Sequence, residues 1–468
     1  MKVEQIYTGC LAEAAYYIES NGEAAIIDPL RDTHPYLDRL KEDQAKLKYV
    51  FITHFHADFV SGHLDLHEAT GAPIVFGPSA KAGFDLYEGT DGEDFKIGDI
   101  TLTLMHTPGH TMESSSFVLT DENGKQRYLF SGDALFIGDV GRPDLAVKSD
   151  LSQQDLAGHL YDSLRNKIMK LPDDIIVYPN HGAGSACGKL MSEETFDTLG
   201  HQKEVNYALQ DMTKEEFVDK VLDGLAPPPQ YFPKNAMLNK NGYDLMTDVL
   251  DHSRHALDSE HVQNLMDDGA LVLDTREHIE FQKAYIPGSV NIGLDGNFAT
   301  WVGTLVTDLD RSIVLIVDEE RVDEAIIRLS RVGYDNAVGY LAGGIKCWID
   351  AGYSVETIEA ISPYMLDKKW KEGENLNIID TRRQSEFDSE HIEGSGILTL
   401  DTIEQHLDEL DKDNTYYLYC LTGYRSASLI SILRKFGYNN LINVEGGMEA
   451  LKETDVPFSE YVCPTTLL

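Results

Sequence analysis

Short apolar runs of β-type composition recur through the first part of the chain: EAAIID (23–28), KYVFIT (48–53), APIVFG (72–77), ITLTLMH (100–106), RYLFSGD (127–133) and DIIVYPN (174–180). Between them, HPYLDRLKEDQ (34–44) and QDLAGHLYDSLRNKIMK (154–170) space their apolar residues as helices do. Strands alternating with amphipathic helices predict a layered α/β domain. A helical stretch over about 192–223 then leads into APPPQYFPKNAMLNKNGY, whose prolines and lost periodicity predict a linker, with a domain boundary near residue 242.

Beyond that boundary the pattern repeats itself. Asp274-Thr275-Arg276, Glu280-Phe281, Ile286 and Gly288-Ser289 return 106 residues later as Asp380-Thr381-Arg382, Glu386-Phe387, Ile392 and Gly394-Ser395. Each copy continues with an apolar strand (SIVLIV or TYYLY), a helix ending in Gly-Tyr, and a Gly-Gly turn before a last helix. Two homologous α/β domains are therefore expected, giving three domains over 1–242, 243–357 and 358–468.

Charge narrows the range of partners. With 79 acidic against 39 basic side chains, the chain would repel nucleic-acid backbones and anionic lipid surfaces, so neither nucleic acid nor membrane is an expected partner. An anionic substrate would need local cations, for which Arg142 and Arg425 are candidates. The five cysteines are scattered without disulfide or zinc-knuckle spacing, and no run approaches bilayer length or resembles a secretion signal. A reducing, cytoplasmic setting is the expectation.

Four strand ends carry metal-ligand chemistry: Thr53-His54-Phe55-His56-Ala57-Asp58-Phe59, Thr107-Pro108-Gly109-His110, Ser131-Gly132-Asp133 and Tyr178-Pro179-Asn180-His181. Imidazoles and carboxylates supplied from strand ends to one cleft are what a metal cluster requires. Their order and flanking glycines resemble the metallo-β-lactamase superfamily over about residues 1–240, which implies an αββα sandwich with metal at one edge. Two-zinc hydrolases of that superfamily place a histidine where Phe59 stands, and phenylalanine cannot ligate.

The branch that looks most similar is the persulfide dioxygenases. That resemblance implies one Fe(II) per chain held by His54, His110 and Asp133, with dioxygen as co-substrate and a low-molecular-weight thiol persulfide, of glutathione, coenzyme A or similar, as substrate. It also implies supporting roles for His56, Asp58 and His181, and a substrate-holding role for Arg142, whose alternative is a salt bridge with Asp144. Cys187, in a glycine-rich loop after His181, is a candidate sulfur relay, or else a buried inert thiol.

In the last repeat the strand TYYLY runs into Cys420-Leu421-Thr422-Gly423-Tyr424-Arg425 at a helix start, where backbone N–H groups favour a thiolate and cradle an anion. Four residues between cysteine and arginine, with the Asp-Thr-Arg and Gly-Gly landmarks, resemble rhodaneses, which carry a sulfane sulfur on that cysteine. The middle repeat ends its strand at Asp318-Glu319-Glu320-Arg321, with a loop shorter by two residues and no nucleophile. Cys347, Cys10 and Cys463 read as structural.

The whole arrangement resembles bacterial persulfide dioxygenase–rhodanese fusions, an αββα sandwich followed by an inactive and an active rhodanese domain with central parallel sheets. Such a protein would oxidise persulfide sulfur to sulfite and let Cys420 pass a second sulfur to sulfite, giving thiosulfate in sulfide detoxification. The competing readings are a zinc-dependent, glyoxalase II-like thioesterase with a sulfurtransferase domain, and a non-enzymatic persulfide carrier or sensor. The sequence leaves open which thiol is used and whether the chain forms a homo-oligomer.

Overall fold

The computed structural model describes residues 1–146 and 151–463. These fall into two compact units, the first comprising Met1–Val249 with Ile327–Asp335, the second Leu250–Ile326 with the chain from Asn336 onward.

The first unit is built on two six-stranded sheets. One runs in sequence order from Lys2–Thr8 to Tyr87–Glu88, and the other holds the strands from Asp94–Ile97 to Asp197–Thr198. Tyr16, Ile18, Ala25, Ile27 and Phe51 from the first sheet face Leu102, Leu104, Phe117, Leu119 and Phe130 from the second. Alternate residues of the first sheet, Tyr17, Ala24, Ile26 and Val50, point outward onto Tyr36, Leu40 and Leu66 of its covering helices. On the far side, Leu129 and Val177 pack against Leu160 and Leu164 of the helix Gln153–Asn166. Sheets covered on both faces require continuous apolar strands, which is why these stood out in the sequence. The expected αββα layering is what forms.

The expected helical stretch of 192–223 is broken. It holds helices Leu199–Val205 and Lys214–Leu222 with a short 3-10 turn between them, because the buried Asn206 turns its side-chain amide to the carbonyls of Phe136 and Asp139. The expected linker is only partly irregular. Phe232–Asn241 is a helix with proline in its first turn, where the missing N–H costs nothing.

The second unit contains two five-stranded sheets, each with all its strand pairs parallel. Both place the first strand beside the fifth, followed by the fourth, second and third. The repeat seen in sequence is thus a repeat of topology. Its Asp-Thr-Arg landmark makes the same clamp twice: Arg276 donates to Asp274 and the Ala284 carbonyl, and Arg382 to Asp380 and the Glu390 carbonyl. Among the described residues, no helix is long and apolar enough to cross a membrane.

Candidate active sites

The metal constellation assembles from four strand ends. His54, His110 and Asp133 are all buried, and each offers a ligand atom within 4.8 Å of the others. His110 Nε2 lies 3.4 Å and His54 Nε2 3.8 Å from Asp133 Oδ2. The opposite ring nitrogens are occupied: His110 Nδ1 donates to the Arg142 carbonyl at 2.8 Å, and His54 Nδ1 meets the Thr53 hydroxyl at 3.0 Å. Thr53 in turn donates to Asp28. Both Nε2 lone pairs are therefore directed at Asp133, the usual preparation of a histidine for a metal. Burial, with His56, His110 and His181 nearby, holds the His54 imidazole well below its ordinary pKa and so keeps it neutral. Both Asp133 carboxylate oxygens are buried without a hydrogen-bond partner, which a bound cation would supply. The donor set fits a divalent transition metal.

Asp28, which the sequence reading missed, organises this edge. It accepts from the Thr53 N–H and hydroxyl, from His56 Nε2 and from the Asn180 amide, all within 2.9 Å. Burial opposes a charge on His56, but Asp28 prevails and draws its pKa upward. The available signal was that Asp28 ends an apolar strand, as the ligand-bearing segments do. Asn239 was also missed, because it lies in the presumed linker. Its amide donates to the His56 and Phe59 carbonyls at 2.7 Å and accepts from Ser61 N–H, pinning the turn that carries the histidines.

His56, Asp58 and His181 form a second buried donor group. His181 Nε2 lies 3.4 Å from Asp58 Oδ2 and 3.6 Å from Asp133 Oδ1. His56 Nδ1, Asp58 Oδ1 and His181 Nε2 have no hydrogen-bond partner. Phe59 is wholly buried and stacks on His56 at 4.3 Å, filling apolar space. Phe59 adds no donor there, and His56, Asp58 and His181 remain as its three donor residues.

Arg142 is buried and its bidentate edge is taken by Asp144, at 3.0 and 2.7 Å, with further bonds to the carbonyls of Ala186 and Ala226. It ties its own segment to the Cys187 loop, so of the two readings of this residue the geometry matches the salt bridge. Cys187 shares a donor cluster with Asp133 and His181. Burial, then the Asp58 and Asp133 carboxylates, push its thiol pKa well up, which disfavours the thiolate.

His63 is buried among Phe76, Phe84 and Tyr243, with neither ring nitrogen partnered. Burial, then His56, lowers its pKa to about 3 from 6.5. A base depressed on folding leaves stability intact above its unfolded pKa and removes it as pH falls from 6.5 towards 3, because the unfolded chain takes up the proton first. From about pH 7.5 to about pH 5 this costs roughly 2 kcal/mol. His63→Leu is expected to flatten the acid limb of the first unit's calorimetric transition by that amount.

At the second site, Cys420 is buried where the strand Tyr416–Tyr419 meets the helix Tyr424–Lys435. Gly423 N–H donates to its sulfur at 3.1 Å, and the Ser426 hydroxyl approaches at 3.7 Å. Leu421 and Thr422 are exposed, and Leu421 borders a cavity of about 220 Å³ with Arg382, Glu386, Met448 and Lys452. Arg425 is not an open cation: it forms a two-bond pair with Glu386 at 2.6 and 2.9 Å, so it braces the loop.

The Gly-Gly turn supports this loop directly. A Cβ on Gly447 would stand 2.4 Å from the Cys420 carbonyl oxygen, and the Met448 N–H donates to that same oxygen. In the middle repeat the equivalent Gly344 has open space around it. There the strand Ile313–Ile316 passes into a short turn, Glu319–Arg321, whose arginine pairs with Asp295 and Glu324. Cys347 is partly buried, whereas Cys463 is exposed.

The metallo-beta-lactamase superfamily profile matches residues 8–181, and that of the rhodanese-like domain matches residues 258–351 and 363–454. The chain is 35% identical over 211 residues to the mitochondrial persulfide dioxygenase ETHE1 of Mus musculus, covering 44% of this chain and 74% of that protein. It is 32% identical to a probable hydroxyacylglutathione hydrolase, glo2, of Schizosaccharomyces pombe, covering 34% of this chain and 58% of that one. A solved metallo-beta-lactamase from Staphylococcus aureus superposes with a TM-score of 0.65 at 33% identity, covering 72% of this chain and 98% of the other.

Proposed function

Because the chain belongs to the metallo-β-lactamase superfamily, as a fusion with tandem rhodanese-like domains related to persulfide dioxygenases, we propose that it oxidises thiol persulfides at one iron and transfers sulfane sulfur through Cys420. The observation that carries this reading is the pairing, in one chain, of a His54–His110–Asp133 donor set with a cysteine loop built to hold sulfur.

His54, His110 and Asp133 would hold the ion through two imidazole nitrogens and one carboxylate, the set that suits Fe(II) and leaves coordination positions open. Bound there, iron supplies the redox chemistry with dioxygen that side chains lack. The protein fixes the geometry. Asp28 and the Arg142 carbonyl hold the two ligand histidines in their tautomers, and Asn239 holds the turn between sheet and helix. Overall, one persulfide, one dioxygen and one water give thiol, sulfite and two protons.

At the second site the Cys420 thiolate attacks the outer sulfur of a persulfide and expels the thiolate, and Gly423 N–H stabilises sulfur anions at that position. Sulfite then attacks the outer sulfur of the Cys420 persulfide, giving thiosulfate and restoring the thiolate. Cys187 is a weaker candidate for an intermediate relay, given its raised pKa.

The second reading, a zinc thioesterase, draws on the hydroxyacylglutathione hydrolase likeness and on the His56–Asp58–His181 group. An oxygen electrode separates the two. Oxygen uptake on adding glutathione or coenzyme A persulfide, with sulfite and thiosulfate together formed in a 1:1 ratio to the oxygen consumed, is expected of the dioxygenase. Thioester cleavage without oxygen uptake would reject it.

A further inference from the structure

The middle repeat has no cysteine at the strand end equivalent to that of Cys420, yet two of its segments lie against the sulfur-transfer loop of the last one. The Tyr424 hydroxyl donates to the Gly293 carbonyl at 3.0 Å, and a Cβ on Gly293 would stand 2.9 Å from the Tyr424 ring. His278 meets the same ring edge-on at 6.4 Å between centroids, and its Nε2 lies 3.3 Å from where a Cβ on Gly423 would be. About two turns further along the helix that follows Cys420, Asn291 N–H donates to the Ser431 hydroxyl on its buried face. Asn291 is itself fixed, through its amide, to the carbonyls of Asp274 and Arg276.

These contacts fall on the residues that matter for the cysteine. Gly423 is the donor to Cys420 Sγ and the cap of the helix, with φ of +102°, and Tyr424 is the helix's first residue. The loop's other side, at Leu421, borders the cavity shared with Met448 and Lys452. One flank is thus open to small molecules and the other is held by the middle repeat.

We infer that the middle repeat is a positioning element for Cys420: His278 and Gly293 fix Gly423 and Tyr424 so that the Gly423 N–H stays aimed at the sulfur. The inference rests on the sulfur-transfer reading of Cys420. It explains why a repeat stripped of its own loop keeps its fold: what it supplies is a rigid surface.

The test uses the full chain with His278→Ala and, separately, Gly293→Ala, where the added methyl displaces the Tyr424 ring. Hydrogen–deuterium exchange of the peptide spanning 420–426 and steady-state transfer from glutathione persulfide to sulfite are measured. In both variants, exchange is expected to quicken and kcat to fall about tenfold, with KM for the persulfide changed less than about twofold. Unchanged exchange, or faster exchange with unchanged kcat, in a variant with the parental melting profile overturns the inference. Should one variant fail to fold, the other decides. If the parental chain transfers no sulfur, the sulfur-transfer reading fails instead, while exchange still reports whether the clamp exists.

Discussion

Cys420→Ser is expected to reduce sulfur transfer to sulfite by at least about a thousandfold while leaving persulfide-dependent oxygen uptake within about twofold. The reason is division of labour. Serine keeps the size and the Gly423 N–H contact made by the Cys420 sulfur, but it cannot form a persulfide. Its loop lies in the second compact unit, whereas the His54–His110–Asp133 group lies entirely in the first. Thiosulfate formation by the variant, followed by cyanolysis or ion chromatography, reads the first quantity, and an oxygen electrode reads the second. A variant that transfers sulfur as well as its parent would remove Cys420 from the chemistry. A carrier or sensor without catalysis would show neither activity in either protein.

Asp133→Ala is expected to have the opposite effect. Both carboxylate oxygens are buried and unpartnered, and one faces His54 and His110 while the other faces His181. Removing it deletes the only carboxylate of the first donor group and leaves the His54 and His110 imidazoles facing one another. Even outer-shell partners of metal ligands are worth roughly 10–100-fold in affinity, so loss of a direct ligand should exceed about a hundredfold. Metal content after dialysis is expected to fall below detection, oxygen uptake to vanish, and Cys420-dependent transfer to persist. Retention of metal at parental stoichiometry would mean that the ion sits on His56, Asp58 and His181.

Much of this was legible in the sequence because the fold buries its sheets on both faces and brings the ligands in at strand ends. Continuous apolar runs such as KYVFIT and DIIVYPN mark such strands, and the residues just after them mark the site. The duplicated Asp-Thr-Arg landmark is legible because it performs one local task, the same clamp in both repeats, and the Gly-Gly turn of the last repeat because it closes on the Cys420 loop. What escaped depends on contacts between distant segments. Asp28 ends a strand without a motif around it, and its importance lies in four partners drawn from Thr53, His56 and Asn180. Asn239 sits in a proline-rich stretch whose composition predicts a linker, yet it folds as a helix whose amide closes the metal-site turn. The strand Glu13–Ser20 has no clear pattern in sequence, because EAAYYIES mixes helix-favouring alanine and glutamate with strand formers, and only pairing with both neighbours decides it.

Charge pairing bears on two further expectations. Arg142 and Arg425 are the cations a sequence would assign to an anionic substrate, but Asp144 and Glu386 already occupy their forks. In a chain this acidic, guanidinium groups near a site are readily claimed by neighbouring carboxylates, and the backbone N–H of Gly423 is the group that donates to the Cys420 sulfur.

The two donor groups make metal number the deciding quantity. Anomalous diffraction collected across the iron and zinc edges, on protein purified without added metal, locates and identifies each ion at once. One iron bound by His54, His110 and Asp133, with His56, Asp58 and His181 free of metal, is the predicted result. Two zinc ions bridged by Asp133 would contradict the account.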